Sequence, residues 1–302
     1  MAAGLRLRLL VGLAAVAALV IQPTAPEAKP ISSLLPASFT AISAGPDGGI
    51  VWKGRIPDPA MPRLRRESIV YLPPHVSATV RYPVVYLLQG FYGGPLQFVS
   101  GLKIATVADT LIASGAVPPF IAVAAPAGRT VKYDGEWAGP WEKYLVRDVV
   151  PWVDAHLPTI DTVAGRVIAG LSAGGYGAVD IGLRHPSTFS TLEAWSGYFQ
   201  PYRDGPLRHA DARQLAAHDP SLLTRDEASL LRSLGTRFFL SSGTGDPRTT
   251  QDTIVFAHEL RELGLPHELY LRPGAHNGRF WLSQLPSALI YALGGVPPGT
   301  FG

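Results

Sequence analysis

The sequence predicts one α/β domain built on a doubly wound, mostly parallel sheet with a small cap region. Three observations carry that expectation. Short apolar runs alternate with amphipathic helical segments from Pro83 to Leu293. The runs at Val84–Leu88 and Phe120–Ala125 are nearly continuous, as in strands covered by helices on both faces. One further run leads into Gly170-Leu171-Ser172-Ala173-Gly174, where a strand must turn at once into a helix. A length of 302 residues suits one large domain or two small ones. No internal repeat and no linker divides the chain, so one is expected.

Taken in order, Arg6 and Arg8 precede an uncharged apolar run, Leu9–Ile21. That is the pattern of a secretory signal, read here as a signal peptide or signal anchor over residues 1–28. The run is short for a membrane span, which needs ~20 apolar residues. Residues 29–48 continue a Pro/Ala/Ser-rich extension, and 49–296 form the expected catalytic body. Ile50–Ile56 and Arg66–Leu72 read as strands about a proline-containing loop, and Pro73-Pro74 ends the second. Then come strand 83–88, helix 102–114, strand 120–125 and a helix over 140–156. Leu145, Val149 and Trp152 share a face of that helix, and Pro151 is expected to kink it. The strand at 166–171 and its helix follow, ending near His185-Pro186. After the strand Thr191–Ser196, residues 198–234 break the alternation and read as a cap over the strand C-termini, where ligands bind in such sheets. Strand 237–242, a helix with Phe256, Leu260 and Leu263 on one face, strand 268–272 and helix 280–293 complete the domain.

Composition narrows the function classes. The chain is 47% hydrophobic and 16% charged, which suits a well-buried core rather than disorder. A net charge of +3 without a basic block argues against nucleic acid, and Arg63, Arg65 and Arg66 read as a solvated strand face. With no cysteine, disulfides, thiolate chemistry and Cys-ligated zinc are excluded. No His/Asp/Glu set has metal-ligand spacing, and no phosphate-binding loop is present, so neither metal nor cofactor is expected.

The chemistry centres on Ser172. Glycines on either side let neighbouring backbone approach a sharp turn, and the following helix offers free N–H groups to a developing oxyanion. Serine is a weak nucleophile at neutral pH and needs a base, with a third group to orient that base. In this topology both partners follow later strands, the acid before the histidine. Asp246, in Gly243-Thr244-Gly245-Asp246-Pro247, and His276, in Pro273-Gly274-Ala275-His276, occupy such loops. The alternative for Asp246 is to close its turn or cap the next helix, and Asp252 competes from inside that helix. The other histidines sit at helix ends, on helix surfaces or in polar loops. The oxyanion donors would be the N–H groups of Ala173 and of Phe91 in the loop Gln89–Gly94. Tyr92, Trp137 and Trp141 are candidate aromatics at the mouth, each also readable as plain packing.

Together these pieces resemble the esterase family of α/β-hydrolases, which includes esterase D, bacterial mycolyltransferases, feruloyl-type esterases and S-formylglutathione hydrolases. The resemblance spans roughly residues 65–293. It rests on Val84–Phe91, on Trp141–Leu145 through Val150–Val153, on Gly170–Gly174, on Gly245-Asp246-Pro247 and on Gly274-Ala275-His276 through Trp281. It departs at two places. Many family esterases have His-Gly, and mycolyltransferases Asp-Gly, where this chain has Gln89-Gly90. Mycolyltransferases follow the histidine with Ser-Trp-Glu, where this chain has Asn277-Gly278-Arg279. The resemblance implies an α/β-hydrolase fold and a serine ester hydrolase working through an acyl-enzyme on a small-molecule, lipid or glycan ester, and the N-terminal segment adds that it is exported. The alternatives are an acyltransferase moving an acyl chain to a sugar hydroxyl, and a catalytically silent envelope-binding protein on the same fold. The expected location is extracytoplasmic, with membrane contact only through an uncleaved N-terminal segment.

Overall fold

The computed structural model describes residues 34–59, 66–128, 136–294 and 299–300. The N-terminal segment read as a signal, residues 1–28, lies outside them. Among the described residues no helix is long and apolar enough to cross a membrane.

The strands are β1 (Thr40–Ala44), β2 (Ile50–Gly54), β3 (Ser68–Leu72), β4 (Val80–Arg81), β5 (Val84–Leu88), β6 (Ile121–Ala124), β7 (Arg166–Leu171), β8 (Thr191–Trp195), β9 (Arg237–Gly243), β10 (His267–Arg272) and β11 (Gly299–Thr300). Nine of them form one sheet in the order β1-β2-β3-β6-β5-β7-β8-β9-β10, and β11 pairs only with β4. The first strands meander antiparallel up to β3 against β6. From β6 to β10 every pair is parallel. This is the α/β-hydrolase architecture, mostly parallel with an antiparallel flank.

Alternation along the strands divides the core in two. In β5, Val84, Tyr86 and Leu88 face one layer, while Val85 and Leu87 face the other. The second layer is closed by α1 (Ile104–Ala113) and α8 (Gly278–Leu293). The first is closed by α3 (Val150–His156), α4 (Ala173–Arg184), α6 (Pro220–Leu234) and α7 (Pro247–Glu262). Strands buried on both faces explain why their sequence reads as unbroken apolar runs.

Three expectations are refined. The 29–48 extension contributes the edge strand β1 and buries Leu35 and Phe39, so the sheet begins before Gly49. The 140–156 helix is α2 (Pro140–Lys143), a π-helical stretch at Tyr144–Val149, and α3. Pro151 has no N–H to donate to the preceding turn, and a widened turn stands just before it. The 198–234 stretch is mostly regular. Its second half is α6, capped by Asp219 and closed by Gly235 at φ 68°. Only the part before it, with the short α5 (Ala212–Ala216), remains as a cap.

Candidate active site

Strand β7 delivers Ser172 to the end of the sheet at φ 56° and ψ −122°, a region that residues with a Cβ avoid. The surroundings hold it there. The Ser172 N–H donates to the Trp195 carbonyl at 2.9 Å, and the Ser172 carbonyl accepts from Gly175 and Tyr176. A Cβ on Gly170 would stand 2.1 Å from the Gly174 carbonyl oxygen, and one on Gly174 would stand 2.0 Å from that of Leu88. Both glycines are therefore required by space, because β5, β7 and α4 converge at this turn. Ala173 is the first residue of α4, where a helix N–H has no intrahelical acceptor.

Asp246 and His276 approach from the neighbouring parallel strands. Asp246 follows β9, and His276 follows β10. Gly243 and Gly245 pack directly on Gly274, and the Gly245 N–H donates to the Gly274 carbonyl at 2.7 Å. That contact joins the two loops. His276 Nδ1 lies 2.7 Å from Asp246 Oδ2, and its Nε2 lies 2.9 Å from Ser172 Oγ. Asp246 also caps α7 and accepts from the Thr249 hydroxyl, so its two readings coexist. Burial alone raises the Asp246 carboxyl. Hydrogen bonds from Thr249 and His276, with the imidazole charge, outweigh that and hold it below its ordinary value. The indole edge of Trp281 stands against the imidazole, with ring centroids 5.1 Å apart, and its N–H donates to Ser196 Oγ. Asp252, the competing acid, lines the cleft from the second turn of α7 and does not hold the histidine.

The loop after β5 passes beside the serine. A Cβ on Gly90 would lie 3.1 Å from Ser172 Cβ, and a turn closes from the Gly93 N–H to the Gly90 carbonyl. Phe91 and Tyr92 project from this turn, exposed and ring against ring. Trp137 and Trp141 do not reach the mouth. They are 2% and 1% exposed, in the core layer beneath the loop, so their assignment to the mouth is corrected. Trp137 packs on Gly177 of α4 and donates its indole N–H to the Gln89 carbonyl at 3.0 Å. It supports the loop from below. Gln89 in turn donates to the Ala127 carbonyl.

Arg66, read as part of a solvated face, is half-buried. It donates to the carbonyls of Ala127 and Gly128 at 2.7 Å and of Gly93 at 3.2 Å. One guanidinium thus ties the loop after β5 to the loop after β6. Nothing local in the sequence marks it, because its acceptors are backbone groups far along the chain. Other histidines are engaged elsewhere: His185 with Glu142 at 2.8 Å, and His218 with the buried Asp180 at 2.8 Å.

A cleft of about 260 Å³ opens beside Ser172 and His276, walled by Tyr198 and Tyr202 of the cap and by Arg248 and Asp252 of α7. A strained serine, a histidine within hydrogen-bond reach and a buttressing carboxylate form the arrangement that activates a hydroxyl nucleophile.

A family model described as "Putative esterase" matches residues 60–292. The chain belongs to the esterase family. Within that family it is 28% identical to Esterase Rv1288 of Mycobacterium tuberculosis over 65% of this chain and 48% of that protein. It is 25% identical to the MPT51/MPB51 antigen of the same species over 74% of this chain and 77% of that protein. The chain spans about half the length of the first of these relatives. A solved structure titled ferulic acid esterase superposes with a TM-score of 0.72 at 24% identity, covering 81% of this chain and 98% of that one. At that identity the likeness supports the fold.

Proposed function

We propose that this esterase-family chain is a serine ester hydrolase that forms an acyl-enzyme on Ser172. The observation that carries the reading is the continuous hydrogen-bonded line from Ser172 through His276 to Asp246. His276 Nε2 takes the hydroxyl proton as Ser172 Oγ attacks the ester carbonyl, and Asp246 fixes the imidazole tautomer and balances its charge. The oxyanion is held by the Ala173 N–H at the start of α4 and by the Phe91 N–H in the loop beside it. His276 then protonates the leaving alcohol. It next activates water to release the acid, returning the proton to Ser172. Attack by a sugar hydroxyl in place of water would make the same site an acyltransferase, since every step up to the acyl-enzyme is shared. The N-terminal basic and apolar segment supports an extracytoplasmic location, and the substrate we propose is a small-molecule, lipid or glycan ester.

The test is labelling with a fluorophosphonate probe, alongside turnover of short-chain nitrophenyl esters. Wild type should label, Ser172→Ala should not, and Ser172→Ala should lose ester turnover by ~10³-fold or more. Equal labelling of the two proteins would refute the proposal, and no labelling of the wild type would return the chain to a silent binding role. Acyl-sugar formation when a sugar is added would favour transfer over hydrolysis.

A further inference from the structure

Beyond the triad, the cleft wall holds an arginine whose donors are almost unused. Arg248 lies two residues after Asp246, in the first turn of α7, and is exposed to the cleft that Ser172 and His276 also line. Its guanidinium sits over the Tyr202 ring, 5.0 Å from the centroid, and Nη2 donates to the Tyr202 hydroxyl. A guanidinium carries five N–H donors. Among the described residues the Tyr202 hydroxyl is the one acceptor that Arg248 meets, and no carboxylate comes within 4 Å of it.

The acidic groups facing it do not satisfy it. Asp246 is committed to His276 and Thr249. Glu136, which lies toward Tyr202, accepts from the Tyr198 hydroxyl. Asp252 lies one turn further along α7, where burial and the Asp246 charge push its carboxyl up while Arg248 opposes them. The same four side chains, Tyr198, Tyr202, Arg248 and Asp252, line a second cavity of about 280 Å³ that continues past the first. The arginine therefore borders both cavities, with its guanidinium held against the Tyr202 ring.

We propose that Arg248, seated on Tyr202, recognises a carboxylate carried by the substrate, so that the preferred ester bears a negative group on its acyl or its alcohol part. This rests on Ser172 acting as the acylated nucleophile. A guanidinium matches a carboxylate with two parallel N–H···O bonds, and such a charged pair in a cleft corresponds to roughly a tenfold preference, ~1.4 kcal/mol. Arg248 is here a specificity-determining residue and takes no part in proton transfer.

The experiment compares matched esters that differ only in carboxylate against carboxamide. One arm puts the group on the acyl side, as 4-nitrophenyl adipate monoester against its monoamide. The other puts it on the alcohol side, as the butyryl esters of 4-hydroxybenzoate and 4-hydroxybenzamide. The readout is the ratio of kcat/KM within each pair, in which the folded fraction of a variant cancels. Wild type should favour the carboxylate in one arm about tenfold, mainly through KM, and the preference should shrink as salt is added. Arg248→Gln should abolish the preference, and Arg248→Lys should retain part of it. The arm that responds identifies which part of the substrate carries the charge. A wild-type ratio of one or below in both arms, or a preference unchanged in Arg248→Gln, overturns the inference while Ser172-dependent turnover of the amides leaves the hydrolytic reading standing. Absence of Ser172-dependent turnover of all four esters overturns both.

Discussion

Replacing Gly174 by alanine adds a single methyl group, and the structure says where it must go. At ideal geometry that carbon stands 2.0 Å from the Leu88 carbonyl oxygen, 2.6 Å from the Leu88 carbonyl carbon and 2.7 Å from the Gln89 carbonyl oxygen. All three are backbone atoms where β5 ends and the loop Gln89–Gly94 begins, so no side chain can rotate away. Opening 2.0 Å to 3.0 Å requires a displacement of about 1 Å between α4 and the end of β5. Gly174 does not have a positive φ, so the effect is steric and not conformational. Overpacking of this kind costs about 1–3 kcal/mol. In a domain of this size that lowers the melting temperature by roughly 2–4 °C per kcal/mol. The larger effect is on rate. The displaced loop carries one proposed oxyanion donor and the displaced helix the other, and moving such a donor out of place costs about 10²–10³-fold. The assay is kcat/KM on a short-chain nitrophenyl ester, measured well below the melting transition, with circular dichroism to verify folding. Gly101→Ala is the reference, because its nearest neighbour would be Gln97 Cγ at 3.9 Å. A folded Gly174→Ala protein with wild-type kcat/KM would refute the steric account of the elbow.

Other outcomes follow from the same contacts. Arg66→Ala removes three hydrogen bonds to the carbonyls of Gly93, Ala127 and Gly128. It should lower kcat by about tenfold and melting by several degrees, at ~1.5–3 kcal/mol for bonds from a charged group; steady-state kinetics and thermal melts check both. Asp246→Asn should cost roughly 10³–10⁴-fold in kcat by disturbing the imidazole tautomer. Because the Asp246 carboxyl is held below its ordinary value, its hydrogen bonds with Thr249 and His276 contribute stability above the unfolded aspartate value of ~3.9, which is lost as pH falls through the lower folded value. The stability difference between wild type and this variant should therefore be constant above that range and shrink as pH falls through it, as followed by acid titration of stability. Glu193 is buried on β8, and desolvation pushes its carboxyl well above the ordinary range against the Trp195 hydrogen bond and the Arg237 charge. The folded state then binds more protons than the unfolded one above ~4.3, so this group removes stability as pH rises. Glu193→Gln should raise the melting temperature at pH 8 and leave it nearly unchanged near pH 4, as measured by calorimetry.

Much of this architecture could be read from residue order, and the reasons are physical. Strands buried on both faces leave unbroken apolar runs, which is why β5, β6, β7 and β9 are legible. The three side chains that meet in the cleft lie just past strand ends, in glycine-containing loops, and that local pattern marks them. What escaped reading depends on partners distant in the chain. Arg66 reads as a surface cation until carbonyls 61 and 62 residues away are brought to it. Trp137 reads as a mouth residue, yet Gly177 on α4 leaves the hollow that swallows its ring. The edge strand β1 carries little apolar signal because most of its residues face solvent. The helix α6 was hidden in a polar stretch whose buried face is only Pro220, Thr224, Ala228 and Leu231.

The strand order itself has a consequence for how activity fails. Ser172 stands in the middle of the sheet, but the histidine loop hangs from β10, the outermost strand, which pairs on one side only. Edge elements open locally with less free energy than the centre, and hydrogen exchange resolves such partial openings. As temperature rises, β10 should detach from β9 while the central strands remain protected, withdrawing the imidazole from an otherwise intact elbow. Catalysis would then disappear several degrees below the calorimetric transition and return on cooling, so that the border of the sheet sets the working range and its centre sets the melting point.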